Sequence, residues 1–581
     1  MIQVAAGNPA IPEAEHVFEP TSIARMETAI AALKAAKDAW VKVGIPERIR
    51  LIDAMVERTL AEAPAWVAGA MKAKDIHPGT PLEAEDYMNG PYCVLRNLRL
   101  LKRSLQDVEK FGAPKLPGKP RKVDGGKIAV PVFPTDAYDK ILFQGFSAEI
   151  WMQPGVSESN LKETQAVAYR NKATGGKVAL VLGAGNVSSI GPMDALYKLF
   201  VEDQVVLLKM NPVNEYNGPV LERIFEPLAA KDWFRVVYGG AEQGKFLCQH
   251  ADIDEIHITG SDKTHDAIVF GGGAQGAKNK ADRTPVLTKR ITSELGNVSP
   301  VIIVPGPWSA SDLDYHGANL ATMLTNNAGF NCVAMRVIVT HKGWDKRDAL
   351  IAATEETFAK AHPRKPYYPG ARQRYDSFVA EHPDAKRFGP DDGDAVPFTL
   401  IENLDPEKIG DICYRTEAFC GVAGEVALEA STVAGYIDKA VDFANGRLWG
   451  TLSATLLVHP ASLKDKAVAD AVNRAIANLR YGSVVINHFA GVAYGLVSPT
   501  WGAYPGHDLY DIGSGVGVVH NTYMFDKPEK TVVHGPFKMF PKPPWFVTSR
   551  YPHELAPKLL DFEAKPSPLK LPGILKLAIK G

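Results

Sequence analysis

From Lys177 to about Ser261 short apolar runs alternate with helical stretches, and this alternation limits the fold more than any other feature of the chain. VALVLG (178 to 183), VVLLK (205 to 209), FRVVYG (234 to 239) and IDEIHITG (253 to 260) are separated by GPMDALYKLFVED (191 to 203), NGPVLERIFEPLA (217 to 229) and a helical stretch near 242 to 250. Short apolar strands joined by helices bury both faces only in a parallel sheet with helices packed on it. Such a sheet binds ligands at the carboxyl ends of its strands. After SELGNVSPVIIVPG (293 to 306) a second run follows, with a helix over 311 to 327, strand VAMRVIVT (333 to 340), a helix over 345 to 361 and alternation to about 483. The 581 residues exceed the roughly 250 to 300 at which one core stops growing, so the pattern predicts two α/β domains.

The flanks differ. Residues 21 to 112 are helical in pattern: Ile23, Met26, Ile30 and Leu33 recur at helical spacing, as do Val94, Leu98, Leu101 and Leu105. Pro, Gly and Lys crowd 114 to 128 as a loop, and ILFQGFSAEIWMQPG (141 to 155) reads as extended structure broken at Gly145, a protruding hairpin. Residues 538 to 581 carry eight prolines among aromatic and basic residues. They read as an irregular arm with one short helix.

Charge and cysteine usage exclude several functions. Lys plus Arg number 65 against 66 Asp plus Glu, so no basic field exists to hold nucleic acid. No segment approaches the roughly 18 apolar residues of a membrane span, and the first residues lack a secretory pattern. The five cysteines are scattered, which suits reduced thiols in a cytoplasm.

Four short segments carry candidate chemistry. LVLGAGNVSSIG (180 to 191) fails as a dinucleotide fingerprint, because Ser188 stands where the third glycine belongs and the next strand ends in Lys209. What remains is a tight strand-to-helix turn displaying Asn186, readable also as an ordinary glycine turn. Gly260 and Ser261 lie between a strand and a helix, where free N–H groups suit a phosphate; a serine N-cap has the same sequence. Glu294, at the junction of the two α/β runs, is either a solvated loop carboxylate or a partly shielded general base. Cys332 follows a glycine-containing bend and precedes a strand, as either a nucleophile or a buried core thiol.

In order along the chain, TGS (259 to 261), ELG (294 to 296), the AG-x-x-C segment ending at Cys332, EAF (417 to 419) and GSVVIN (482 to 487) resemble the aldehyde dehydrogenase superfamily. The resemblance runs from about residue 20 to 535. It implies a Rossmann-like parallel-sheet cofactor domain at 1–293 with an oligomerisation hairpin near 138–157, and a second α/β catalytic domain at 294–484. It also implies a return strand with a small β oligomerisation element at 485–537, leaving the arm at 538–581 without a counterpart. By the same resemblance Cys332 is the nucleophile, Asn186 an oxyanion donor and Glu294 the base. Lys209, Gly260, Ser261, Leu295, Glu417 and Phe419 contact the cofactor, and no metal ligand is assigned. NAD is the expected cofactor, with NADP open because Pro212 replaces a glutamate that accepts from the ribose 2′-hydroxyl. The expected substrate is an apolar aldehyde, the expected assembly a homodimer or homotetramer, and the arm is expected to pack over a neighbouring subunit and narrow the substrate entrance. His265, Phe330 and the Cys420-Gly421 pair depart from the pattern. A CoA-acylating relative, a cofactor-free thiol hydrolase and a non-catalytic protein of the same fold are the competing readings.

Overall fold

The structure is a computed structural model that describes residues 6 to 171, 174 to 393 and 395 to 581. Two sheets form its frame. In the first, of six strands, Val178–Leu182 lies at the centre, with Val205–Lys209 and Phe234–Val237 on one side and Glu255–Gly260 and Arg290–Leu295 on the other. These five are parallel, and all five residues of Val205–Lys209 are buried, as expected for strands covered on both faces. The order reverses beside Val178–Leu182, so the ligand crevice of such a sheet opens over Gly183 to Asn186.

The second sheet has eleven strands, with Ser299–Val304 and Met335–His341 adjacent and parallel near its middle. Both are almost wholly buried. Arg121–Val123, Lys127–Phe133 and Ser147–Met152, which precede the first sheet in the chain, belong to this second one. The extended part of 141 to 155 is therefore no self-paired, protruding hairpin. Its start is helical (Ala137–Leu142), and Ser147–Met152 pairs with Lys127–Phe133 and Pro528–His534. The burial pattern explains why: Ala148 to Met152 are all buried, and strand edges so apolar require partners on both sides.

The segment from 485 to 537 ties the two sheets together. Gly515–Val516 adds an antiparallel edge strand beside Glu294 and Ser293, and Pro528–His534 enters the larger sheet. Gly515 has φ 117°, and a Cβ there would collide with the Ser293 backbone. The glycines of GSGVG thus allow the returning chain to press against the strand that carries Glu294.

The last residues are more ordered than their prolines suggest, forming two helices, Pro552–Ala564 and Leu571–Lys580. They fold back on their own chain. Glu563 is buried and receives Arg96 at 3.3 Å and Arg99 at 2.6 Å, while Phe562 packs edge-on against Tyr138 with ring centres 5.3 Å apart. A buried carboxylate is tolerable only when paired in this way, and the pairing fixes the arm to the helix that carries Arg96.

Candidate functional site

Two cavities meet at Cys332. The larger, about 920 Å³, lies at the crevice of the six-stranded sheet and is lined by Gly183, Lys209, Gly260, Ser261, Glu417 and Phe419 among others. The smaller, about 550 Å³, runs outward beneath the C-terminal arm and is lined mainly by apolar side chains. Among the described residues only Ile190 and Cys332 line both. The thiol is half-buried, so a group entering through either cavity reaches it.

A strained bend delivers the cysteine there. Asn327, Ala328 and Gly329 have φ of 53°, 56° and 81°, a left-handed run that costs on the order of 1 kcal/mol or more per non-glycine residue. Hydrogen bonds hold it in place. Buried Arg336 donates to the Gly329 and Cys420 carbonyls, both at 2.7 Å, and Asn327 Nδ2 donates to the Asn186 carbonyl at 2.9 Å. Asn186 in turn donates one side-chain N–H to the Phe330 carbonyl at 2.8 Å. An amide nitrogen has two hydrogens, and Asn186 and Cys332 line the same cleft. A Cβ on Gly185 would press on Asn211 and Val213, which is why a glycine precedes Asn186 whatever the turn binds.

Glu294, next to last in the strand Arg290–Leu295, is buried and has Oε1 without a partner. Burial, reinforced by the buried carboxylate of Asp194, raises its pKa to about 8. It lies close enough to Cys332 for each to alter the other's proton affinity. The thiol is pushed well above its ordinary range, first by burial and then by the charges of Glu294 and Glu417. Asp194 is itself held by Thr259 at 2.8 Å and faces His257 at 3.4 Å. Sequence reasoning missed it, since a lone aspartate inside a helix carries no signal.

Glu417 is also buried, with its pKa raised to about 7 by desolvation. Its carboxylate fills the space a side chain at position 296 would need, which accounts for the glycine of ELG. Leu295 is buried at the cleft wall, and its N–H donates to the Ser514 carbonyl at 2.8 Å. Phe419 lies in the same wall with φ 44°, its carbonyl held by Arg374 at 3.1 Å. Lys209 is buried at the cleft floor, its pKa lowered to about 8 by desolvation.

The N-terminal segment forms a strap across the same cleft that the sequence did not reveal. Asn8 donates to Glu417 and accepts from Asp262 N–H at 2.9 Å, at the start of the helix Asp262–Phe270. Ser261 accepts from Thr264 N–H at 3.1 Å, so the N-cap reading of this serine holds, while Gly260 and Ser261 also line the cleft. Glu13 accepts from Ala241 N–H at 2.8 Å, and its charge acts on Lys209. A Cβ at Gly240 would strike that carboxylate. Two of the residues that depart from the family pattern do not line the outer tunnel. His265 is fully buried, and Phe330 packs against Tyr367, Tyr368 and Phe419 rather than lining the outer tunnel.

The sequence profile of the Aldehyde dehydrogenase family matches residues 148–369. Human 4-trimethylaminobutyraldehyde dehydrogenase is 33% identical over 146 residues, covering 24% of this chain and 26% of that protein. The chain thus spans about a quarter of the length of that relative. Human mitochondrial methylmalonate-semialdehyde/malonate-semialdehyde dehydrogenase [acylating] is 21% identical over 471 residues, 75% of this chain and 77% of that one. Among solved structures, an aldehyde dehydrogenase of Pseudomonas syringae in complex with NAD+ and octanal superposes with TM-score 0.58 at 18% identity, covering 92% and 93% of the two chains. A putative aldehyde dehydrogenase from Burkholderia cenocepacia gives 0.59 at 18%, covering 91% and 96%.

Proposed function

We propose that the chain is a member of the aldehyde dehydrogenase superfamily and that it oxidises an apolar aldehyde to the carboxylate through a thioester on Cys332, using NAD. The observation that carries this reading is the position of Cys332, shared by a large cleft with polar anchors and an apolar tunnel.

The cleft residues fit a dinucleotide. Glu417 Oε1 is a buried acceptor without a partner, suited to a ribose hydroxyl, and Lys209 offers a cation at the end of its strand. Glu13 places a carboxylate beside Lys209, where Pro212 supplies none; a carboxylate there repels a 2′-phosphate, which favours NAD over NADP. The dinucleotide, when bound, supplies the hydride acceptor.

The chain's own groups handle the proton and the charge. Glu294, with its pKa near 8, is matched to taking the thiol proton close to neutral pH. The sulfur then adds to the aldehyde carbonyl, and the free N–H of Asn186 stabilises the resulting oxyanion, a contribution of about 10² to 10³ in rate. After oxidation the acyl group is held as a thioester. Once Glu294 has released the thiol proton to solvent, it accepts a proton from water as the water oxygen attacks the acyl carbon; the C–S bond breaks, Glu294 returns that proton to the departing sulfur, and the acid product leaves as a carboxylate after losing its own proton to solvent. The tunnel's apolar wall, including Phe489, Val492, Tyr494 and Trp501, favours an alkyl or aromatic chain.

A panel of aldehydes of increasing chain length with NAD and NADP, with and without CoA, tests the proposal. Turnover with NAD and no CoA that improves with chain length is expected, and Cys332→Ala should abolish it. Activity that persists in Cys332→Ala, or that depends on CoA, would overturn the reading.

A further inference from the structure

Among the described residues thirteen large apolar side chains are exposed, and five of them lie between positions 540 and 579: Phe540, Tyr551, Leu569, Leu575 and Ile579. A sixth, Ile141, lines the same tunnel as Phe540 and Leu575. Leu569 is 90% exposed, Phe540 81% and Ile579 61%. Exposed apolar side chains concentrated in one segment are unusual for a soluble surface, and three of these six, Ile141, Phe540 and Leu575, line the apolar cavity itself.

The helix Leu571–Lys580 is two-sided. Ile574 and Leu577 are buried against the rest of the arm, whereas Leu575 and Ile579, one turn apart, face outward with Lys576 and Lys580 flanking them. From Lys565 to the last residue there are four lysines and no acidic residue. Lys570 pairs with Asp561 at 2.8 Å, and among the described residues no carboxylate lies within ion-pair distance of Lys565, Lys576 or Lys580. No helix among the described residues is long and apolar enough to cross a membrane. A short helix with an outward face of lysines beside apolar side chains instead matches an element that lies in the plane of a bilayer with anionic headgroups. A protein partner would require acidic groups to face these lysines, and an isolated apolar pocket on it to take Leu569.

We infer that the C-terminal arm docks this protein on an anionic membrane surface, with the tunnel mouth between Ile141, Phe540 and Leu575 facing the lipid. The docking stands on the exposed face itself; its use as a route by which an apolar aldehyde passes from bilayer to Cys332 rests on the substrate reading above.

The test is co-sedimentation of the full chain with vesicles of phosphatidylcholine alone and of phosphatidylcholine with phosphatidylglycerol at about three to one. Binding to the mixed vesicles that weakens with added salt is expected. Lys576→Gln with Lys580→Gln should reduce affinity roughly fivefold for each lysine. Leu569→Ser with Ile579→Ser should weaken binding in proportion to lost apolar area. All four positions are exposed, so turnover of a short, water-soluble aldehyde should be unchanged. A wild-type chain that stays in the supernatant, or variants that bind as well as it does, would overturn the inference. So would a change of oligomeric state in Leu569→Ser with Ile579→Ser, because a second copy of the chain would then cover this face. Vesicle binding without oxidation of long-chain aldehydes would instead sink the substrate reading and leave the docking intact.

Discussion

Replacing Glu294 by glutamine should uncouple stability from pH in a calculable way. The buried carboxyl has its pKa raised from 4.5 to about 8, while in the unfolded chain it returns to the ordinary value. The folded state therefore holds a proton that the unfolded state releases, and stability falls as pH rises between those two values. Each unit corresponds to about 1.4 kcal/mol, so the whole interval amounts to roughly 5 kcal/mol. Below about pH 4 the wild type and Glu294→Gln should differ little; near pH 9 the variant should be the more stable by most of that amount. For a chain of this size that is a rise of several degrees in Tm, on the order of 1 to 2 °C per kcal/mol. Differential scanning calorimetry near pH 5, 7 and 9 measures it, with the difference between the two proteins as the readout. If the two melting profiles run parallel from about pH 5 to pH 9, Glu294 is ionised in the resting protein and the burial argument is wrong. The same variant has a kinetic signature: one equivalent of reduced dinucleotide should form per site, more slowly than in the wild type because the thiol has lost its base, followed by steady turnover reduced about 10² to 10⁴-fold.

Other consequences follow from the geometry. Asn186→Ala should lower kcat about 10² to 10³-fold with a small change in KM, measured by steady-state kinetics, because the donor acts on charge that develops during reaction. Glu13→Gln should improve the NADP to NAD ratio of kcat/KM by roughly tenfold through loss of one repelling charge, and an unchanged ratio would remove Glu13 from cofactor choice. Deleting residues 540 to 581 exposes the tunnel and Tyr138, so preference for long over short aldehydes should fall in a chain-length series. Wild-type deacylation should rise with pH and reach half its maximum near pH 8, the value to which burial raises Glu294; single-turnover hydrolysis of the acylated enzyme tracks this.

The parallel sheet around Val178–Leu182 was legible because buried strands are uniformly apolar and the helices between them are periodic. Cys332, Glu294 and Glu417 were legible as a family pattern, although each residue alone had an ordinary structural alternative. The strap was not. Asn8 and Glu13 act through contacts more than 200 positions away in the chain, and no local periodicity encodes a partner so distant. The arm misled for a different reason. Pro552 sits in the first turn of its helix, where a missing N–H has no cost, so proline density there signals a helix start rather than irregularity. The segment from 141 to 155 reads the same whether its strand pairs within the segment or with Lys127–Phe133 on one side and the distant Pro528–His534 on the other.

The two cavities that share Cys332 open on different sides of the cysteine, one at the sheet crevice and the other beneath the arm. An oxidised dinucleotide and an aldehyde therefore need not queue for a single doorway, and neither blocks the other's path to the sulfur. In the proposed reaction the reduced dinucleotide would leave while the acyl group still filled the opposite passage, freeing space on the cleft side for the attacking water. Inhibitors should segregate accordingly: a long-chain acid competes with aldehyde alone, and an adenine nucleotide competes with the dinucleotide alone.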